Sequence, residues 1–193
     1  MAEKFPALFK LASKGEIIPE TNKEFDGAFR AKDLFEIQKI QNNISTMRGQ
    51  IVTSSLNVES RLDDIIVNYF FSKHQKKKKY FIELFLEKEF LTFMQKWKIL
   101  KDLLDFDALK LTEVRRKVLL KKLHEIIETR NSFAHGEIVF FRQKAYLEYL
   151  KSGKKNRVRL SKGYENKISV LFNQVIRLLD YLKYGSNFHS SIT

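Results

Sequence analysis

Leu119-Leu120-Lys121-Lys122-Leu123-His124-Glu125-Ile126-Ile127-Glu128-Thr129-Arg130-Asn131-Ser132-Phe133-Ala134-His135-Gly136 is the stretch that decides the fold. Leu119, Leu123, Ile126 and Ile127 recur at three- and four-residue spacing, which is the core-facing stripe of an amphipathic helix. Arg130 takes the next position on that stripe, where a purely structural helix would carry leucine. An unpaired charge there costs on the order of 3 to 5 kcal/mol, so the guanidinium must meet an anionic partner or a ligand. Gly136 then stops the helix and suits a left-handed cap position. Each helical residue advances about 100° and 1.5 Å, so His135 lies roughly 140° around the axis from Arg130. One helix cannot aim both heads at one atom. Asn131 and His135 do share a face one turn apart, with Glu128 and His124 near it. Two copies packed antiparallel across a two-fold axis would bring the arginine of one toward the histidine of the other.

Outward from this helix, the chain reads as mainly helical. Thr112 is a plausible N-cap for it. From Asp33 to about Ser72, Leu34, Ile37, Ile40, Ile44, Met47, Ile51, Val58, Leu62, Ile65, Ile66 and Tyr69 keep helical spacing, predicting one long helix or two collinear ones bent at Gly49 or Ser54-Ser55. Glu59 shares a stripe with Leu62 and Ile66, so Glu59, or Asp63 one turn on, is a candidate partner for Arg130 through charge-assisted hydrogen bonds. The lysine run Lys76-Lys77-Lys78-Lys79 breaks the pattern. A helix from about Glu87 to Leu104 follows, with Trp97 read as core. Ile138–Phe141 and Asn156–Leu160 read as two short strands, separated by Tyr146 to Leu150 and the turn Ser152-Gly153-Lys154. Ser161 caps a last helix running to about Tyr184. The domain expectation is an arm over 1–32, a helical domain over 33–185 and a tail over 186–193.

The 193 residues, 44% apolar and 13% aromatic, suffice for one domain with a sizeable core. Thirty-six lysines and arginines face 23 acids, a net +13 that favours a polyanionic partner. The cations cluster: Lys76, Lys77, Lys78 and Lys79 in one group, Arg115 and Arg116 in a second, Lys154, Lys155, Arg157 and Arg159 in a third. These are the candidate RNA contacts, each weighed against a merely solvated face. With no cysteine there is no disulfide framework and no thiolate metal site. The four histidines are dispersed, so no metal and no cofactor is expected. Apolar runs fall short of a membrane span and the first residues lack a signal-peptide pattern, so the expectation is a cytoplasmic protein.

Arg130-Asn131, three further residues and His135, inside a helical setting and running into Ala134-His135-Gly136, resemble the signature of the HEPN superfamily of helical ribonucleases and nucleotide-binding proteins. The resemblance spans residues from about 33 to 184, and only the motif helix aligns residue by residue. It implies an all-α, antiparallel bundle of four to five helices, here with a small hairpin-like insertion before the last. It also implies metal-independent RNA cleavage, with Arg130 and His135 as the catalytic pair and Asn131 as their polar companion; the homodimer is the expectation from the helix geometry above, and Glu59, Asp63 and Glu128 are the expected supporting carboxylates. The family's frequent toxin and defence roles imply a separate antitoxin or regulatory chain as partner.

The chemistry fits those residue types. Metal-free cleavage needs a base for the 2′-hydroxyl, a cation for charge growing on the phosphoryl oxygens and an acid for the leaving 5′-oxygen. Imidazole moves protons near working pH, and guanidinium offers phosphate a permanently charged planar fork. The alternatives are a non-catalytic HEPN-like module that binds nucleic acid or nucleotide or regulates through a partner, and a structural helical adaptor.

Overall fold

The computed structural model describes residues 9–11, 17–19, 31–86, 90–106, 108–141 and 144–185. The described residues are mostly helical, with five α-helices among them: α1 (Ala31–Phe71), α2 (Gln75–Phe81), α3 (Phe93–Asp105), α4 (Glu113–His135) and α5 (Lys162–Gly185). One antiparallel sheet joins β1 (Phe9–Leu11), β2 (Ile17–Pro19), β3 (Glu137–Phe141), β4 (Lys144–Lys151) and β5 (Lys154–Arg159) in the order β2-β1-β3-β4-β5. The chain divides into two compact units, Met1–Val52 with Thr129–Lys167 and Thr53–Glu128 with Ile168–Thr193. The tail expected over 186–193 and most of the arm over 1–32 lie outside the described residues, although β1 and β2 fall within that arm.

The first unit holds the sheet, the opening of α1, the last turns of α4 and the start of α5. Ile44, Met47 and Ile51 on α1 are buried, as are Phe133 on α4, Ile138, Val139 and Phe140 on β3 and Leu147 on β4. Strand β3 is flanked by β1 and β4, and three successive buried residues at its centre mark a strand covered on both faces. The segment read as a connection between two strands is itself β4. It pairs with β3 on one side and β5 on the other, Leu147 lying opposite both Ile138 and Val158. The turn from β4 to β5 is the expected one. Ser152 and Gly153 both have positive φ, 51° and 74°, which is the two-residue hairpin geometry that matches strand twist.

The second unit is helical. Val58, Leu62 and Ile66 on α1, Leu100 and Leu104 on α3, Leu119, Leu123 and Ile126 on α4, and Val175 and Leu179 on α5 are its most buried side chains. Helix α1 is one continuous helix through Gly49 and Ser54-Ser55, the long-helix alternative of the sequence reading. The lysine run does not end helical structure either: it forms α2, which passes into a wider π-type turn over Ile82–Leu86. Lysine is a good helix former, and a run of it hides periodicity without opposing the helix. Helix α3 starts at Phe93 rather than near Glu87, because Thr92 and Gln95 close a reciprocal capping box. Trp97 is half-buried and donates its indole N–H to the Leu120 carbonyl at 3.0 Å, its ring edge-on to His124.

Candidate active site

Helix α4 closes on the motif. Its buried stripe passes from Ile126 and Ile127 to Phe133, whose ring lies 6.3 Å from that of Tyr164 in a near-parallel stack. Contrary to the expectation, Arg130 does not continue the stripe into the core but sits at its margin, half-buried. The inward positions beside it belong to Thr129 and Ser132, small enough to be buried, and the Ser132 hydroxyl donates to the Thr129 carbonyl at 2.8 Å. Asn131 and His135 are both exposed. Among the described residues, neither the Arg130 guanidinium nor the His135 imidazole has a hydrogen-bond or ion-pair partner.

A histidine on the last helical turn has an ordinary structural role, capping the terminal carbonyls. Here Arg48 of α1 performs it: its guanidinium donates to the Phe133 carbonyl at 2.5 Å and to the Ala134 carbonyl at 3.5 Å. A cation at that end also opposes the helix dipole. The imidazole of His135 is thus left facing solvent beside the Asn131 amide. Sequence reasoning missed Arg48. Its signal is a cation at the edge of a buried stripe, four residues after Ile44 and beside Met47.

Helix α4 meets β3 with only Gly136 between them. Gly136 has no positive φ, so it is not the expected left-handed cap. The requirement is close approach. A Cβ there would lie 2.3 Å from the Ser132 carbonyl oxygen, 2.8 Å from Leu147 Cδ1 and 2.9 Å from the Glu148 carbonyl oxygen, and two of those three neighbours are backbone. The Gly136 N–H donates to Ser132 at 2.8 Å, completing the last turn.

The carboxylates expected to orient Arg130 are held by a different cation. Lys96, 4% exposed on α3, donates to Glu59 at 2.9 Å and to Asp63 at 3.0 Å. The stripe of α3 runs Phe93, Lys96, Leu100, which carries the ammonium inward opposite α1. Burial pushes the Asp63 carboxyl up, against the lowering effect of Lys96. Burial also works to lower the Lys96 ammonium, but its two carboxylate hydrogen bonds outweigh this and its pKa rises. Glu128, the third expected support, lies 3.9 Å from His124, one turn back on its own helix.

The expected RNA contacts divide in two. Several are engaged within the fold: Arg116 donates to the Leu104 carbonyl at 2.9 Å, Lys78 to Asn68 at 2.9 Å, and Arg115 lies over the Tyr181 ring at 4.9 Å. Lys155 and Arg157 clamp the buried Glu148, Lys155 at 2.5 Å and Arg157 by a close contact directly across the strand pair. Burial would raise the Glu148 carboxyl, yet those two cations hold it below the usual range. Lys76, Lys77, Lys154 and Arg159 remain exposed, and Lys79, also exposed, lies 3.7 Å from the Glu83 carboxylate one turn on. Among the described residues no group of three or more histidine or carboxylate side chains is placed to hold a metal, and no helix is long and apolar enough to cross a membrane. No family model, no curated protein and no solved structure matches this chain.

Proposed function

We propose that this chain is a HEPN-like, metal-independent endoribonuclease that acts as a homodimer, Arg130 of one copy working with His135 of the other. The observation that carries the reading is that His135 and Asn131 stand exposed on the last turn of α4 while Arg48 takes over the capping work. A solvent-facing imidazole beside an amide and a half-exposed guanidinium, on a chain of net charge +13, is suited to a polyanionic substrate.

In the proposed reaction the RNA 2′-oxygen attacks the adjacent phosphorus and its proton passes to the His135 imidazole. The bond from phosphorus to the 5′-oxygen breaks, and that oxygen takes its proton from the protonated His135 of the second copy. Arg130 stabilises the charge that builds on the phosphoryl oxygens, and Asn131 orients the imidazole or a phosphate. The products carry 2′,3′-cyclic phosphate and 5′-hydroxyl ends. A toxin or defence role, with a separate protein as regulator, is the setting that this activity suits.

Purified protein incubated with end-labelled RNA in chelator tests the reading. Cleavage that yields cyclic-phosphate ends and disappears in His135→Ala, with dimerisation and RNA affinity retained, is the expected result. Equal cleavage by that variant would assign the activity to a contaminant. The competing reading, a nucleic-acid-binding module without catalysis, draws on the exposed lysines that lie away from the motif, and it predicts binding with no cleavage at all.

A further inference from the structure

Between the end of α1 and the start of α3 lies apolar surface that no buried residue explains. Neither α2 nor the π-type turn after it contains a buried residue, although Tyr80, Phe81, Ile82, Leu84, Phe85 and Leu86 belong to them. Aromatic rings form a continuous row there. Tyr69 meets Phe70 with centroids 4.9 Å apart, Phe70 meets Phe71 at 6.3 Å and Phe71 meets Phe81 at 4.9 Å. Phe81 then stacks on Phe85 at 5.2 Å, and Phe85 meets Phe90 at 6.3 Å. Phe70 is 51% exposed, Tyr80 64% and Phe90 65%. An exposed patch of this kind marks an interaction surface, and π-type turns concentrate at functional sites.

The charge around the rings selects the occupant. Residues 69–90 carry six lysines, Lys73, Lys76, Lys77, Lys78, Lys79 and Lys88, against three acids, Glu83, Glu87 and Glu89. Lys73, Lys76, Lys77 and Lys79 are exposed, Lys79 within 3.7 Å of Glu83, while Lys78 is turned to Asn68. Rings that pack on one another are held in place, so a ligand stacking on them would order few side chains. Exposed flat rings interleaved with ammonium groups provide what an unpaired polynucleotide offers in complement: π-faces on the bases and charge on the phosphates. Duplex bases are already stacked and cannot use the rings.

We propose that the Tyr69–Phe90 surface is a platform for single-stranded nucleic acid, with Phe70, Tyr80 and Phe90 stacking on bases and Lys76, Lys77 and Lys79 meeting phosphates. This platform is separate from the proposed catalytic turn and does not depend on cleavage. A fluorescein-labelled 2′-O-methyl oligoribonucleotide, which cannot be cut through its 2′-oxygen, keeps the two readings distinguishable in an anisotropy titration. The parental protein should bind this strand at least about tenfold more tightly than its duplex. The triple variant Phe70→Leu, Tyr80→Leu, Phe90→Leu keeps apolar bulk and removes the π-faces. It should lose about tenfold or more in affinity with its salt dependence unchanged. Lys76→Ala, Lys77→Ala, Lys79→Ala should instead flatten the slope of log K against log salt by about 2, on the order of 0.7 per lost phosphate contact. Circular dichroism and melting of each variant establish that it is folded. A folded ring variant that binds the strand as the parent does overturns the proposal. So does a ring variant that loses flotation with phosphatidylserine vesicles while keeping the oligonucleotide, which would assign the surface to a membrane.

Discussion

At Gly136 a hydrogen in place of a methyl group decides whether the motif turn can meet the sheet. Alanine there would drive a carbon into the carbonyl oxygens of Ser132 and Glu148, both backbone. Gly136→Ala should therefore lower stability by about 2 kcal/mol or more in urea denaturation, by overpacking. Arg48→Ala should cost about 1 to 2 kcal/mol, since it strips a charged donor from the Phe133 carbonyl at the end of α4. The sequence marks Gly136 as special but not why, because close approach depends on β4, a partner distant in the chain. Ser152-Gly153 is legible outright, since a two-residue hairpin requires nothing beyond its own neighbours. Arg48 was hidden because a cation at a stripe margin reads as a solvated one.

Ion clusters that join elements are the places where pH enters. Lys96 joins α3 to α1 through Glu59 and Asp63, and its removal leaves two carboxylates uncompensated. Lys96→Met should cost about 3 kcal/mol at neutral pH. The deficit should shrink in acid, because burial already raises Asp63 above its usual 3.8 and the carboxyl accepts a proton readily. Parental Lys96 titrates above the ordinary 10.5, so its contribution is complete below that value and is lost as alkali passes the raised one. Glu148 behaves oppositely. Its carboxyl is held below 4.5, so the stabilisation is present above that pH and disappears as acid passes the lowered value. Glu148→Gln should be less stable than the parent near pH 7, with a stability curve that is flatter below about pH 4.5, measured by urea denaturation across the range. Glu59 and Asp63 were legible as inward carboxylates, but their cation was not, because Lys96 occupies a stripe that reads equally well one residue over. The middle strand was missed for a related reason: Lys144 to Lys151 mixes apolar and polar residues at a spacing that only pairing on both edges resolves.

For the whole molecule, charge and helical content are the properties the amino-acid composition carries best: the chain has a net +13, and the described residues hold five α-helices. Convergence of Arg130 and His135 is of another order, since angular spacing on one helix sets them apart and a second copy would have to supply the missing half. Cleavage per protomer should therefore fall on dilution at the concentration where sedimentation shows dimers dissociating. Full activity from monomers would dispose of the two-copy site.

The direct passage from α4 into β3 gears the motif turn to the sheet. A single residue inserted at the junction would act one way or the other: either the strand turns over, exchanging the faces on which Ile138, Val139 and Phe140 pack, or the helix end rotates His135 by about 100°. Amide protons of Ala134 and His135 should accordingly exchange as slowly as those of β3, not with the speed of an ordinary frayed helix end. The motif turn can be altered by substitution, but it has no slack to be lengthened.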